Sequence, residues 1–215
     1  MTEPIFFYMA LQAVLTGDIV NSTRLSTANE KKLLKVLSNV LSSYKYEFYR
    51  GDSFQVYLKN AEEALRIALL SRAAAISIPA SDELMHGDVR ISIGIGPVKP
   101  PVKALSAAKG DAFLLSGRKF DEITKTGKRL AIAINNPVAG TAFEVISDYL
   151  NSIFNVMTDK QAIVIFELLT GKTQKNVADK LKKSKSTISQ HVMAGRWYEI
   201  EKLLKHYENI VTQLK

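Results

Sequence analysis

The sequence predicts an α+β fold in two parts, a sheet-and-helix region followed by an all-α C-terminal region. Three observations predict it. Strand-like alternation and helical periodicity trade places along residues 10–134 in the order β-α-β-β-α-β-α-β. After Pro137 no strand signal returns. The last third then shows three closely spaced helix starts, at Thr158 or Asp159, at Thr173, and at Ser184 or Ser186.

Ala10–Leu15 ends the apolar run that begins at Ile5, and reads as a buried strand entering a turn at Thr16-Gly17-Asp18. Leu33, Leu34, Leu37, Val40 and Leu41 recur at helical spacing within Asn29–Tyr44. Tyr46–Tyr49 and Ser53–Leu58 read as two strands of a hairpin whose tip is Arg50-Gly51-Asp52. Ala61–Ile76, rich in Ala and Leu, reads as a helix, and Pro79–Asp88 as a polar loop. Val89–Ile95 alternates around Arg90 and Ser92 and reads as a strand, closed by Gly94-Ile95-Gly96-Pro97. A helix over Asp111–Ile123 and a strand over Arg129–Ile134 follow, before Asn135-Asn136-Pro137 breaks the pattern. This is the split β-α-β, ferredoxin-like order, with an antiparallel sheet covered on one side by helices. The expected organisation is an α+β domain over residues 1–136, a connector over 137–156 carrying the helix Phe143–Val156, and an all-α domain over 157–215.

Composition narrows the chemistry. The chain has 215 residues, 47% hydrophobic and 23% charged, as in an ordinary soluble globular protein. It has no cysteine, which excludes disulfides, thiolate metal sites and cysteine nucleophiles, and fits a reducing cytoplasm. His86, His191 and His206 show no metal-ligand spacing. The apolar run near the N-terminus is far short of the ~20 residues that span a bilayer. It also lacks the basic flank of a secretory signal. The net charge is +8, and basic residues are denser at the end: Ser152–Lys215 carries 11 Lys and Arg against 6 Asp and Glu. That distribution is the electrostatic footprint of a nucleic-acid module.

The all-α region gives the footprint a mechanical form. Val177, Ala178 and Leu181 make the apolar face of a short helix, and Ala178 is small enough for the next helix to cross close to it. Lys182-Lys183-Ser184 makes a turn. Ile188 and Val192 anchor the second helix at i, i+4. Lys185, Ser186, Thr187, Ser189, Gln190 and His191 are left to reach base edges in a major groove. Lys182, Lys183, Lys185 and Arg196 are placed to meet phosphates. The run Thr173-Gln-Lys-Asn-Val-Ala178 with Ser186-Thr-Ile-Ser-Gln190 strongly resembles the helix-turn-helix of bacterial regulators, of the kind in sigma-factor region four and response regulators. That resemblance implies double-stranded DNA as partner, and two-fold symmetric sites bound by a homodimer. Trp197 reads as a core anchor of the last helix. Leu203, Leu204, Tyr207, Ile210, Val211 and Leu214 continue an apolar stripe that packs internally or pairs with a second copy.

Two motifs stand out earlier. Thr16-Gly-Asp-Ile-Val-Asn-Ser-Thr-Arg24 and Arg50-Gly-Asp-Ser-Phe54 each carry an aspartate. If the first strand neighbours the hairpin, Asp18 and Asp52 lie side by side, and such a pair can hold divalent ions that neutralise a triphosphate. The plain alternatives are a helix cap for Asp18 and a turn residue for Asp52. With Arg90-Ile-Ser-Ile-Gly-Ile-Gly-Pro-Val98, these motifs over Ala13–Ile134 look like a class III nucleotide cyclase domain, and still more like the SatD family, which shares that palm-like core. The resemblance implies metal binding by Asp18 and Asp52, magnesium with a nucleotide as cofactor, and a transition-state arginine at Arg118. It departs at Leu114, where the cyclase pattern has asparagine, and it offers no purine-selecting lysine near Phe48. The expectation is therefore a cytoplasmic DNA-binding regulator. Its first domain is a degenerate cyclase-like sensor of a nucleotide or other small effector, or a dimerising element. The alternative is a metal-dependent nucleotidyl enzyme with an accessory helix-turn-helix.

Overall fold

Strand β1 (Gln12–Val20) is the middle of the five-stranded sheet and buries residues on both of its faces. The computed structural model describes residues 11–20, 22, 25–49, 51–78 and 87–215. The expectations for Ile5–Ala10, for Asn21, Thr23, Arg24 and Arg50, and for the loop at 79–86 with His86 lie outside them. Helix α1 (Thr27–Leu41) starts where the Ser26 side chain accepts from Asn29 N, and buries Leu33, Leu37 and Leu41. The hairpin of β2 (Lys45–Tyr49) and β3 (Ser53–Leu58) falls where predicted. A 3-10 turn at Ala61–Glu63 leads into α2 (Ala64–Ile76), and β4 (Asp88–Gly96) follows. A two-residue ladder of β5 (Val98–Lys99) and β6 (Lys109–Gly110) was not expected. Then come α3 (Asp111–Thr124) and β7 (Leu130–Ile134).

The sheet order is β2-β3-β1-β4-β7. Its first four strands are antiparallel in the split β-α-β order the sequence predicts. Strand β7 joins parallel to β4, so the sheet is mixed rather than purely antiparallel. Alternation sorts its faces. Ala13, Leu15, Val56, Leu58, Ile91, Ile93, Leu130 and Ile132 belong to one continuous core with α1 and α2. Val14 and Tyr57 face the other way and pack with Val98, Leu105 and Ala112. Helix α3 crosses that second face, so helices cover both sides rather than the one expected.

Two further expectations shift. Asn135-Asn136-Pro137 does not simply break the chain: Asn136 caps α4 (Pro137–Phe154), with Pro137 at the first helical position where its missing N–H costs nothing. Strand β1 runs through Asp18 to Val20, because Asp18 pairs across the sheet with Ser53 and Arg90 rather than entering a turn or capping α1.

Helix α4 is held on the sheet by Phe143, Ile146, Leu150, Ile153 and Phe154. A buried polar network pins its end. Arg72 on α2 has no solvent exposure. It donates from Nε and Nη2 to Asp88 at 3.1 and 2.7 Å, from Nη1 to Asn151 at 3.2 Å and from Nη2 to Asn155 at 3.1 Å. Its guanidinium lies 5.0 Å from the Phe154 ring centre. Asn151 completes the junction by donating to Leu130 O and accepting from Arg129 N.

The C-terminal helices are α5 (Asp159–Leu169), α6 (Gln174–Leu181), α7 (Lys185–Ala194) and α8 (Trp197–Gln213). The last helix, expected to open at Ser184 or Ser186 and continue through Trp197, is broken at Gly195-Arg196, where Arg196 takes a left-handed conformation with φ of 56°. Trp197 is buried, as a core anchor should be. The stripe on α8 is spent internally: Tyr207 is fully buried, packs on Phe143 and donates to Ala61 O at 2.7 Å. Among the described residues there are eight α-helices, and none is long and apolar enough to cross a membrane.

Candidate functional site

Helices α5, α6 and α7 form a tri-helical unit whose boundaries follow from their caps. Thr158 and Gln161 make a reciprocal capping box on α5. Gly171, with φ of 87°, lets the chain turn sharply, and Thr173 caps α6 by accepting from Asn176 N. Lys182 closes α6 in the left-handed region, at φ of 51° and ψ of 46°, and Lys183 N donates to Ala178 O at 3.0 Å. Ser184 then caps α7 by accepting from Thr187 N at 3.1 Å. Val177 and Ala178 on α6 meet Ile188 and Val192 on α7 in the shared core, as the spacing predicted.

This packing fixes what α7 shows to solvent. Lys182, Lys183, Lys185, Ser186, Ser189 and Gln190 are exposed, while Thr187 and His191 are half-buried. Arg196 is committed elsewhere. Its guanidinium lies 4.9 Å from the Tyr149 ring centre on α4, bonds the Tyr149 hydroxyl, and pairs with Glu199 at 3.1 Å. The unit is braced from within by Glu167 on α5, which is 6% exposed and takes Lys180 at 2.6 Å and Lys172 at 3.0 Å. Burial alone would raise the Glu167 carboxyl, but the two lysine contacts outweigh it and hold it below its ordinary 4.5.

The second candidate lies at the end of the sheet. Asp18 on β1 and Asp52 before β3 do come together: Ile19 N donates to Asp52 O at 2.9 Å, and Asp18 sits in register with Ser53. Ser22 Oγ donates to Asp52 Oδ2 at 2.9 Å. Asp18 Oδ2 lies 3.3 Å from Arg90 Nη1, while Asp18 Oδ1 and Arg90 Nε are buried with no hydrogen-bond partner. Burial pushes the Asp18 carboxyl above its ordinary 3.8. Asp52 adds to the rise, and Arg90 and Arg129 oppose it. Two arginines beside two carboxylates leave little net negative charge. No group of three His, Cys, Asp or Glu side chains converges among the described residues. Arg90 already pairs with Asp18, so a divalent ion held by Asp18 and Asp52 would have to displace it.

The fold holds the Asp18 carboxyl above its ordinary pKa. The folded chain holds this proton more tightly than the unfolded chain does. Asp18 therefore weakens folding as pH rises from 3.8 through its raised value, and the cost persists above it. Asp18→Asn should have a higher urea midpoint than the parent at neutral pH, with the gap closing in acid. A lower midpoint at neutral pH would mean that the Arg90 pair outweighs burial.

Helix α3 holds Arg118, which is exposed and has no ion pair among the described residues, and Leu114, one turn away and also exposed. Its other side is clamped to the sheet. Ser92 Oγ donates to Ser116 O at 2.6 Å, and the Thr16 and Ser116 hydroxyls meet at 3.0 Å. Gly94 and Gly96 sit under this helix, and its close crossing explains them. Sequence reading named the two aspartates but missed Arg90 and Arg129 beside them. The alternation around Arg90 and Ser92 was the one available sign, since it put Arg90 on the face of Asp18.

No family model matches this chain, and no curated protein matches it. Solved structures show a partial likeness. The active GGEEF domain of a diguanylate cyclase from Vibrio cholerae is 14% identical, covering 59% of this chain and 84% of that one with a TM-score of 0.42. A bacterial light-regulated adenylyl cyclase is 16% identical over 58% of this chain and 42% of that one, with a TM-score of 0.39. The catalytic core of a rhodopsin-guanylyl cyclase with converted specificity, in complex with ATPαS, is 16% identical over 58% and 78%, with a TM-score of 0.40.

Proposed function

We propose that this chain is a DNA-binding regulator that reads duplex DNA with α7. One observation carries the reading: α7 presents Lys185, Ser186, Ser189 and Gln190 on one exposed side, behind a tight turn carrying Lys182 and Lys183, while Ile188 and Val192 lock its other side to the core. A helix held this way can enter a major groove with its first turns leading. The amide and hydroxyl groups suit base edges, and the lysines before the helix suit phosphates. Arg196, turned to Tyr149, drops out of the phosphate set. Thr187 and His191 are left as partial contributors. The α+β domain then serves as the sensing or assembling part. A nucleotide brought in by a divalent ion at Asp18 and Asp52 would first have to displace Arg90 from Asp18.

Selection of sequences from a random duplex library tests the reading. The parent should enrich a defined motif. Gln190→Ala should relax preference at one position, worth about 1–3 kcal/mol for that base. Lys183→Ala should weaken all sequences alike and reduce the salt slope by about one. If both variants bind as the parent does, α7 is not the reading helix.

A further inference from the structure

We infer that α4 carries a self-complementary seam through which two copies of this chain pair antiparallel. Seven large hydrophobic side chains are exposed among the described residues, and four of them lie along this helix and its end: Val138 at 83%, Val145 at 65%, Tyr149 at 41% and Val156 at 77%. At about 100° per residue, Val138, Val145 and Tyr149 fall within roughly 40° of one another, and Val156 sits in the turn just past the end. The helix has 18 residues, so this line runs for about 27 Å. Helix α8, the other candidate for pairing, has buried its stripe within the chain.

The spacing selects a second copy as the occupant. The four positions are symmetric about residue 147. A two-fold axis there places Val138 against Val156 of the other copy, and Val145 against Tyr149. An isologous contact needs such self-complementarity. A head-to-tail contact would need a different apolar patch to receive the seam. Among the described residues, the other exposed large hydrophobics, Leu114, Met193 and Tyr198, are each on a different helix. Charge agrees. Helix α4 carries no Lys or Arg, and its acids Glu144 and Asp148 lie off the seam, where Lys128 pairs with Asp148 at 2.6 Å. An approaching copy therefore desolvates no unpaired charge along the line. Arg196 stacks on Tyr149, so the seam continues into the α7–α8 junction and would relate the two α7 helices by the same axis.

The inference goes beyond DNA binding and is read without DNA. Sedimentation velocity on the full chain should show a two-chain species at micromolar concentration. Val145→Glu should convert it to one chain, with the helical circular dichroism unchanged because the site is exposed. The absence of native cysteine allows a register test by oxidation. Val138→Cys combined with Val156→Cys should form a covalent dimer, whereas Val138→Cys alone should not. A parent that is a single chain at every concentration overturns the proposal. So does a dimer indifferent to Val145→Glu, or cross-linking by Val138→Cys alone, which would mean a parallel contact.

Discussion

Arg72→Met should lower the unfolding free energy by about 3–5 kcal/mol, the usual cost of removing one member of a buried ion pair. Asp88, whose side chain is only 14% exposed, would lose its ion pair and keep only the weaker, longer-range charge of Arg129. The methionine nearly conserves volume, so the loss reads charge and hydrogen bonding rather than a cavity. Urea unfolding of the parent and the variant measures it. Asp88→Ala should cost a similar amount from the other side, and the double variant should lose clearly less than the two single losses added, because each single change strands the same partner. A loss below about 1 kcal/mol for Arg72→Met would show that water reaches this network and screens it. The consequence extends past stability. Asn151 in the last turn of α4 and Asn155 just past its end both bond Arg72, so the network fixes where the chain leaves the sheet before Thr158 opens the tri-helical unit.

That network also marks the limit of what the sequence shows. Strand order and most helix spans were legible because each rests on local periodicity, and the caps at Thr158, Thr173 and Ser184 are written in adjacent residues. The buried side of α7 was legible for the same reason, since Ile188 and Val192 are one turn apart. Arg72 was not. It sits in a run of Ala and Leu that reads simply as a helix, and its partners lie 16, 79 and 83 residues away. The same distance hid the pairing of Arg90 with Asp18 across 72 residues. The break at Gly195-Arg196 was missed because helical periodicity continues through it. Only a left-handed residue, which sequence alone does not announce outside glycine, turns the chain there. The seam on α4 was missed because the helix within the connector was expected to begin at Phe143, six residues after α4 begins.

The last expected result separates three glycines that look alike in sequence. A Cβ on Gly94 would lie 3.0 Å from Ser116 Cα, and closer still to Ala112 O and Ser116 N. These are backbone atoms of α3, so no side-chain rotation relieves the clash, and the helix must lift from β4. Lifting it would stretch the Ser92 bond to Ser116 O and the Thr16–Ser116 contact together. Gly94→Ala should therefore cost at least the ~1–3 kcal/mol typical of overpacking, with the upper end favoured because backbone meets backbone. Gly96→Ala meets Asp111 Cβ at 3.0 Å and Ala112 N at 3.4 Å, near the start of α3, where a shift of a few tenths of an ångström accommodates it. Its loss should be smaller. Gly117 lies within α3 with nothing near its Cβ position, so Gly117→Ala should stabilise by about 0.5–1 kcal/mol through helix propensity alone. Thermal melts of the three single variants give the order Gly117→Ala above the parent, Gly96→Ala below it and Gly94→Ala lowest. If Gly94→Ala melted with the parent, α3 would not lie against β4 as described, and the placing of Arg118 and Leu114 on its outer side would fall with it.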